Sequence, residues 1–179
     1  MEKKAIIITG VTFLLLCTSS ALVPFISNLI THWNRDPNPN LLYEWDDEYT
    51  EPGLYSADEE IRIDNITYTL ETYAWRDFMP ICPPDGQPLI IITYVQAMEI
   101  QDFPVNVFIE RIWIIDGETI NSSRATAEHR ITGNTFEMVF REGPKWGPLI
   151  AIDVVVKLIL ANSSYYYLKA CNQWIEMTS

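Results

Sequence analysis

The chain has 179 residues and a formal net charge of −12, with 24 acidic against 12 basic side chains. Phosphate recognition needs clustered Lys and Arg, so this balance excludes nucleic acid as a partner and argues against anionic lipid headgroups as ligands. About half of the residues are apolar (48%), enough to build a packed core in the part of the chain beyond the N-terminal segment.

Met1-Glu2-Lys3-Lys4 leads into Ala5 to Ile30, a run without a single charge. Residues 1–33 therefore read as a signal anchor or a signal peptide. As a signal peptide, Lys3 and Lys4 form the basic start and Ala5 to Leu16 the apolar stretch. Ser19-Ser20-Ala21 then permits cleavage after Ala21, and the protein is secreted. As an anchor, residues 5–30 exceed the ~20 needed to span a bilayer as a transmembrane helix. His32 and Trp33 fall where interfacial rings sit, and the lysines place the C-terminal bulk outside. The anchor is the preferred reading, giving a membrane-anchored protein with an extracytoplasmic, extracellular-facing domain. Leu16 before Cys17 is too bulky for a lipoprotein processing site.

Residues 34–60 carry Asp36, Glu44, Asp46, Asp47, Glu48, Glu51, Asp58, Glu59 and Glu60 against Arg35 alone, with Pro37, Pro39, Pro52 and Gly53. Like charges and prolines resist collapse, so the segment reads as an extended acidic stalk. The spacing of Asp36, Asn38, Asn40, Glu44 and Asp47 imitates the oxygen ligands of a calcium loop. Leu41 stands where that loop needs glycine, and a solvated stalk is the better reading.

From residue 61 to 179 the pattern is strands and turns. Ile66, Tyr68 and Leu70 alternate with Thr67, Thr69 and Glu71 in a strand running to about Trp75. Met79 to Pro88 is too rich in proline for a ladder. Leu89 to Ala97 is a second strand and Val105 to Ile115 a third, with Val105, Val107, Ile109, Arg111 and Trp113 on one face. Asp116-Gly117 signals a hairpin. A short polar strand over about Arg124 to Ile131, the turn Gly133-Asn134, and strands at Thr135–Arg141, Leu149–Leu160 and Tyr165–Met177 complete the series. About seven closely spaced strands without helices favour an antiparallel β-sandwich. In strand number, spacing and the position of Trp113, residues 61–179 resemble the immunoglobulin and fibronectin-III-like superfamily. The antibody-type cysteine pair is absent from the second and sixth strands.

The chain has three cysteines, and outside the apolar run Cys82 and Cys171 remain. In an oxidising compartment they are expected to form one disulfide. Asn65, Asn121 and Asn162 each open an Asn-X-Ser/Thr pattern, the acceptor for N-glycosylation. With only His32 and His129, a zinc site lacks ligands. His129 has no nucleophile motif beside it, and no phosphate or dinucleotide loop exists. No cofactor or metal is implied. Trp146, in a Gly/Pro-bounded loop, and Tyr165 and Tyr167 are candidate partner contacts, because Trp and Tyr are enriched at interfaces. For Trp146, plugging the end of the sandwich is the preferred reading. The reading is therefore a protein-binding domain without catalysis. A carbohydrate- or calcium-binding module and a small envelope hydrolase are the alternatives.

Overall fold

Period-two alternation builds this fold, and it does so over more of the chain than the sequence suggests. A computed structural model describes residues 45–125 and 128–178. These form an all-β fold of ten strands: β1 Trp45–Asp47, β2 Glu60–Ile63, β3 Ile66–Asp77, β4 Leu89–Ala97, β5 Val107–Asp116, β6 Thr119–Arg124, β7 His129–Thr132, β8 Thr135–Gly143, β9 Ala151–Leu160 and β10 Tyr165–Thr178. The only helical turn among the described residues is a single 3-10 turn at Leu54–Ser56. No helix among them is long and apolar enough to cross a membrane, and the apolar run 5–30 lies outside the described residues.

The strands follow one hydrogen-bonded path, β1-β6-β5-β9-β10-β3-β4-β8-β7, with β2 added beside β3. β10 joins the two halves of this curled sheet. Its first part pairs antiparallel with β9, and its last four residues, Ile175 to Thr178, pair parallel with Ala74 to Asp77 of β3. The change of partner comes after a register shift between Ala170 and Gln173, where Asn172 has φ 53°. An extra residue at a bulge bends the strand and re-aims its remaining length. Here it carries β10 from one half to the other while Leu168, Ala170 and Ile175 all stay in the core.

One core serves both halves. Leu70, Ala74, Ile91, Val95, Phe136 and Phe140 from β3, β4 and β8 meet Ile109, Ile112, Ile114, Val154, Val156 and Leu158 from β5 and β9. β4 reads buried and half-buried in strict alternation, as its sequence implies. β5 departs from the expected phase. A register shift between Ile109 and Arg111 gives the strand one residue too many. Val107 and Ile109 point into the core before it, and Ile112 and Ile114 after it. Arg111 and Trp113 therefore face the other side, and Trp113 packs outside the shared core, in a second cluster with Leu54, Ala57, Ile120 and Val155. A slip of one residue exchanges the two faces of a strand.

The second cluster exists because the supposed stalk is folded from residue 45 onward. β1 pairs with β6, Trp45 opposite Ser123 and Asp47 opposite Asn121. Glu48 N–H continues the contact to Ile120 O at 3.1 Å. The chain then crosses the outer face of β5, β9 and β10, and Leu54 is fully buried against them. Gly53 makes the crossing possible: its φ is 95°, and a Cβ there would lie 3.0 Å from the Tyr167 ring. Residues 34–44 lie outside the described residues; for 45–60 the expectation of an extended stalk is corrected. The strand expected over Arg124 to Ile131 is also corrected. It is the end of β6, a crossing that includes residues 126 and 127 outside the described residues, and then β7.

Candidate functional site

The two outer faces differ, and that difference defines the candidate site. On the β6-β5-β9-β10 half, the strap formed by residues 45–57 covers a dense polar and aromatic network. Glu51 accepts hydrogen bonds from Tyr49 Oη (2.9 Å), Tyr167 Oη (2.7 Å) and Lys157 Nζ (2.7 Å). Lys157 also pairs with Glu110 at 2.9 Å. Arg111, almost wholly buried, donates to Asp46 (2.9 Å) and Ser122 Oγ (2.8 Å), and its guanidinium lies 4.3 Å from the centre of the Tyr49 ring. Trp113 Nε1–H donates to Tyr49 O at 2.9 Å, and the Tyr167 ring meets Trp113 edge-on at 5.8 Å. Burial, taken alone, would raise the Glu51 carboxyl, but hydrogen bonds from Lys157, Tyr167 and Tyr49 hold it below its usual range. Burial and the bond to Glu51 push the Tyr167 phenol well above its ordinary value. For Lys157 burial acts downward, yet its bonds to Glu51 and Glu110 leave it raised. Glu51 stays ionised, Tyr167 neutral and Lys157 charged at neutral pH. None of the three has the poised protonation state of an acid–base or nucleophilic catalyst. The network is a clamp.

On the β3-β4-β8 half, the outward side chains are Tyr73 and Trp75 on β3 and Ile90, Ile92 and Tyr94 on β4. Register sets Tyr73 beside Ile92 and Trp75 beside Ile90, so they form one apolar surface. Tyr73 and Trp75 stack at 5.1 Å between ring centres, and Tyr73 keeps 41% of its surface in water. Trp174 and Glu176 of β10 flank them, with Trp174 61% exposed and Glu176 accepting from Tyr73 Oη at 2.9 Å. Glu71 lies next along β3, opposite Tyr94. The partly exposed apolar surface thus lies between Glu71 and Glu176 on one side and the Arg141–Glu128 and Arg130–Glu137 pairs of the β8 side on the other.

The residues expected to carry function scatter. Trp146 is half-buried and packs against the shared core, plugging its end. Tyr167 lies under the strap, and only Tyr165 of the pair is exposed, its ring 4.9 Å from Lys157 Nζ. Cys82 and Cys171 are free thiols, which corrects the expected disulfide. The reason is position along β10. The Cys82 loop meets the last residue of β10, where Phe78 N–H donates to Thr178 O. Cys171 stands seven residues back on the strand, roughly 23 Å at ~3.3 Å per residue, whereas a disulfide needs Cα atoms within about 7 Å. Burial, Asp153 and Glu59 raise the Cys171 thiol, so it is a weak nucleophile.

Of the acceptor asparagines, Asn65 and Asn162 are exposed in turns. Asn121 is buried beneath β1, its amide bonded to Asp47, and is not an accessible acceptor. Asp46 and Asp47, the latter read as part of a calcium-like spacing, are engaged by Arg111 and Asn121. No group of three metal-ligating side chains converges among the described residues. His129 lies on β7, its ring stacked on Phe136 at 5.5 Å. The bare face had a sequence signal, since Tyr73, Trp75, Ile90 and Ile92 are outward residues too apolar for a solvated surface. No protein-family model, no curated protein and no solved structure matches this chain.

Proposed function

We propose that this protein is a membrane-anchored, extracytoplasmic binding domain that holds a protein partner without chemistry. Its fold is of the immunoglobulin-like kind. Two things support that finer assignment. The order β3-β4-β8-β7 in one half and β6-β5-β9-β10 in the other matches the A-B-E-D and C′-C-F-G order of that superfamily. The residues common to both halves form one inter-sheet core. The departures are the unbridged cysteines, the outward Trp113, and the added strands β1 and β2.

The observation that carries the binding reading is the apolar surface of Tyr73, Trp75, Ile90 and Ile92, with Tyr73 exposed, the other three half-buried, and exposed Trp174 beside them. A stacked aromatic pair at the centre with charge at the rim is the anatomy of an interface. The rim carries both signs, Glu71 and Glu176 along β3 and β10 and the Arg141–Glu128 and Arg130–Glu137 pairs on the β8 side, and it fits a partner with an apolar centre and a rim of mixed charge. The anchor reading of residues 5–30 supplies the location.

The test is photo-crosslinking from position 92 of the full chain on its native cell surface. The reading predicts a discrete adduct that is lost in Trp75→Ser and weakened by added salt. An adduct indifferent to Trp75→Ser, or none at all, contradicts it.

A further inference from the structure

Both ends of the domain carry carboxylates, and they differ in the apolar side chains they expose. At one end stand the β3–β4 loop, residues 78–88, and the β8–β9 loop, residues 144–150. Buried Arg76 ties them together, donating to Gln87 O (2.9 Å), Lys145 O (3.1 Å), Gly147 O (2.8 Å) and Asp85 O. The exposed apolar side chains here are Met79, Ile81, Leu149 and Met177, and Ile81 has 95% of its surface in water. The other end carries the turn at Asp64-Asn65, the β4–β5 loop with Glu99 and Asp102, and the turn at Asn162. Val105 and Met98 are exposed there too, beside both accessible glycan acceptors.

We infer that the Ile81 end seats in the surface of the bilayer that holds the N-terminal segment, with Ile81, Met79 and Leu149 entering the interfacial region. The inference rests on the anchor reading. If residues 5–30 span the bilayer, positions 31–44 separate them from Trp45. Fourteen extended residues reach at most about 50 Å, so the domain cannot leave the membrane and either end can meet it. Side-chain chemistry then decides which end does.

The backbone of the β3–β4 loop is suited to this contact. Pro80, Pro83, Pro84 and Pro88 have no N–H to desolvate. Cys82 N–H donates to Met79 O and Gly86 N–H to Pro83 O, both at 2.8 Å. Gln87 N–H donates to Asp77 O at 2.8 Å, and Met79 N–H to Asp77 Oδ1 at 2.9 Å. With these N–H groups bonded internally and the prolines having none, most of the loop's backbone loses little on leaving water. Lys145 is paired with Asp85 at 2.6 Å, and Glu142 and the Asp116–Glu118 turn add negative charge at this end. Insertion of apolar side chains, with no recognition of anionic headgroups, is the mode this composition allows.

The test uses the full chain in phosphatidylcholine vesicles, with Cys17, Cys82 and Cys171 changed to Ser and a spin label at Ile81→Cys or Val105→Cys. The inference predicts that the label at 81 collides with oxygen and is shielded from a water-soluble nickel reagent, while the label at 105 shows the reverse. Deuterium exchange on the unmodified chain in the same vesicles provides a second readout, with residues 79–88 protected beyond 98–106. A chain that floats with the vesicles but leaves position 81 open to nickel, or 79–88 unprotected, overturns the docking and leaves the anchor intact. A chain that does not float overturns the anchor reading, and the docking with it.

Discussion

The outer faces of the two halves are built from similar residues and have opposite fates. Tyr49, Trp113, Tyr167 and Val155 on one side are as aromatic and β-branched as Tyr73, Trp75, Ile90 and Ile92 on the other. On the first, the chain's own strap supplies Leu54 for the apolar groove and Glu51 for the cations. On the second, Tyr73 and Trp174 are exposed, Trp75, Ile90 and Ile92 are half-buried, and side chains of both signs border them. A face that a protein covers itself is a stability element. On the proposed reading, a face of the same composition without such a strap is an interaction element.

The largest expected effect tests the covered face. Trp113→Ala should lower unfolding free energy by about 3–5 kcal/mol in denaturant titration, and Leu54→Ala by about 2–5 kcal/mol, as for any large buried side chain. A loss under about 1 kcal/mol for Leu54→Ala would mean that the strap is not seated.

Next in size is the clamp. Glu51→Gln should cost about 1–3 kcal/mol, because three donors then face a neutral acceptor. The pH dependence has a definite sign. The folded Glu51 carboxyl titrates below its ordinary value. Its contribution is therefore complete above the usual carboxylate pKa of about 4.3 and is lost as pH falls through the folded value. Lys157 is raised, so its contribution is complete below about 10.4 and is lost as pH rises through the folded value. Stability measured from pH 7 down to pH 2 should fall less steeply in Glu51→Gln than in the parent chain. Parallel curves would remove Glu51 from the account.

The smallest effect on stability belongs to the bare face. Tyr73→Ser should cost about 0.5–1.5 kcal/mol, from the lost stack on Trp75, while reducing capture of the partner. A large loss of stability there would show that Tyr73 supports the fold. In a host that glycosylates asparagine, peptide mapping should find glycans at Asn65 and Asn162 and none at Asn121, which the covered edge hides.

Much of the β framework is legible in the sequence. Leu89–Ala97 alternates without interruption, and Asp116-Gly117 and Gly133-Asn134 mark turns in which both glycines have positive φ. The parts that were not legible depend on tertiary cover. β6 reads Thr-Ile-Asn-Ser-Ser-Arg, a polar string, yet Asn121, Ser122 and Ser123 are buried because β1 pairs over them, Arg111 bonds Ser122 and Asn121 Nδ2 donates to Asp47, while Asn121 Oδ1 has no hydrogen-bond partner among the described residues. β1 itself is three residues of an acidic run, and its Arg111 and Asn121 partners, with Trp45 Nε1–H donating to Arg141 O at 2.7 Å, distinguish it from a stalk. The inversion of Trp113 arises from one extra residue at Glu110, which no period-two count reveals. The disulfide failed for a related reason: sequence places two cysteines in neighbouring elements but not at the same height along β10.

Hydroxyl-radical footprinting of the full chain, isolated and then in its native membrane, tests the contrast between the faces most directly. The account predicts slow oxidation of Trp113 and Leu54 in both settings, and fast oxidation of Tyr73 and Trp75 in the isolated chain that drops in the native membrane. Trp113 oxidising as fast as Tyr73, or Tyr73 and Trp75 oxidising equally in both settings, would contradict it.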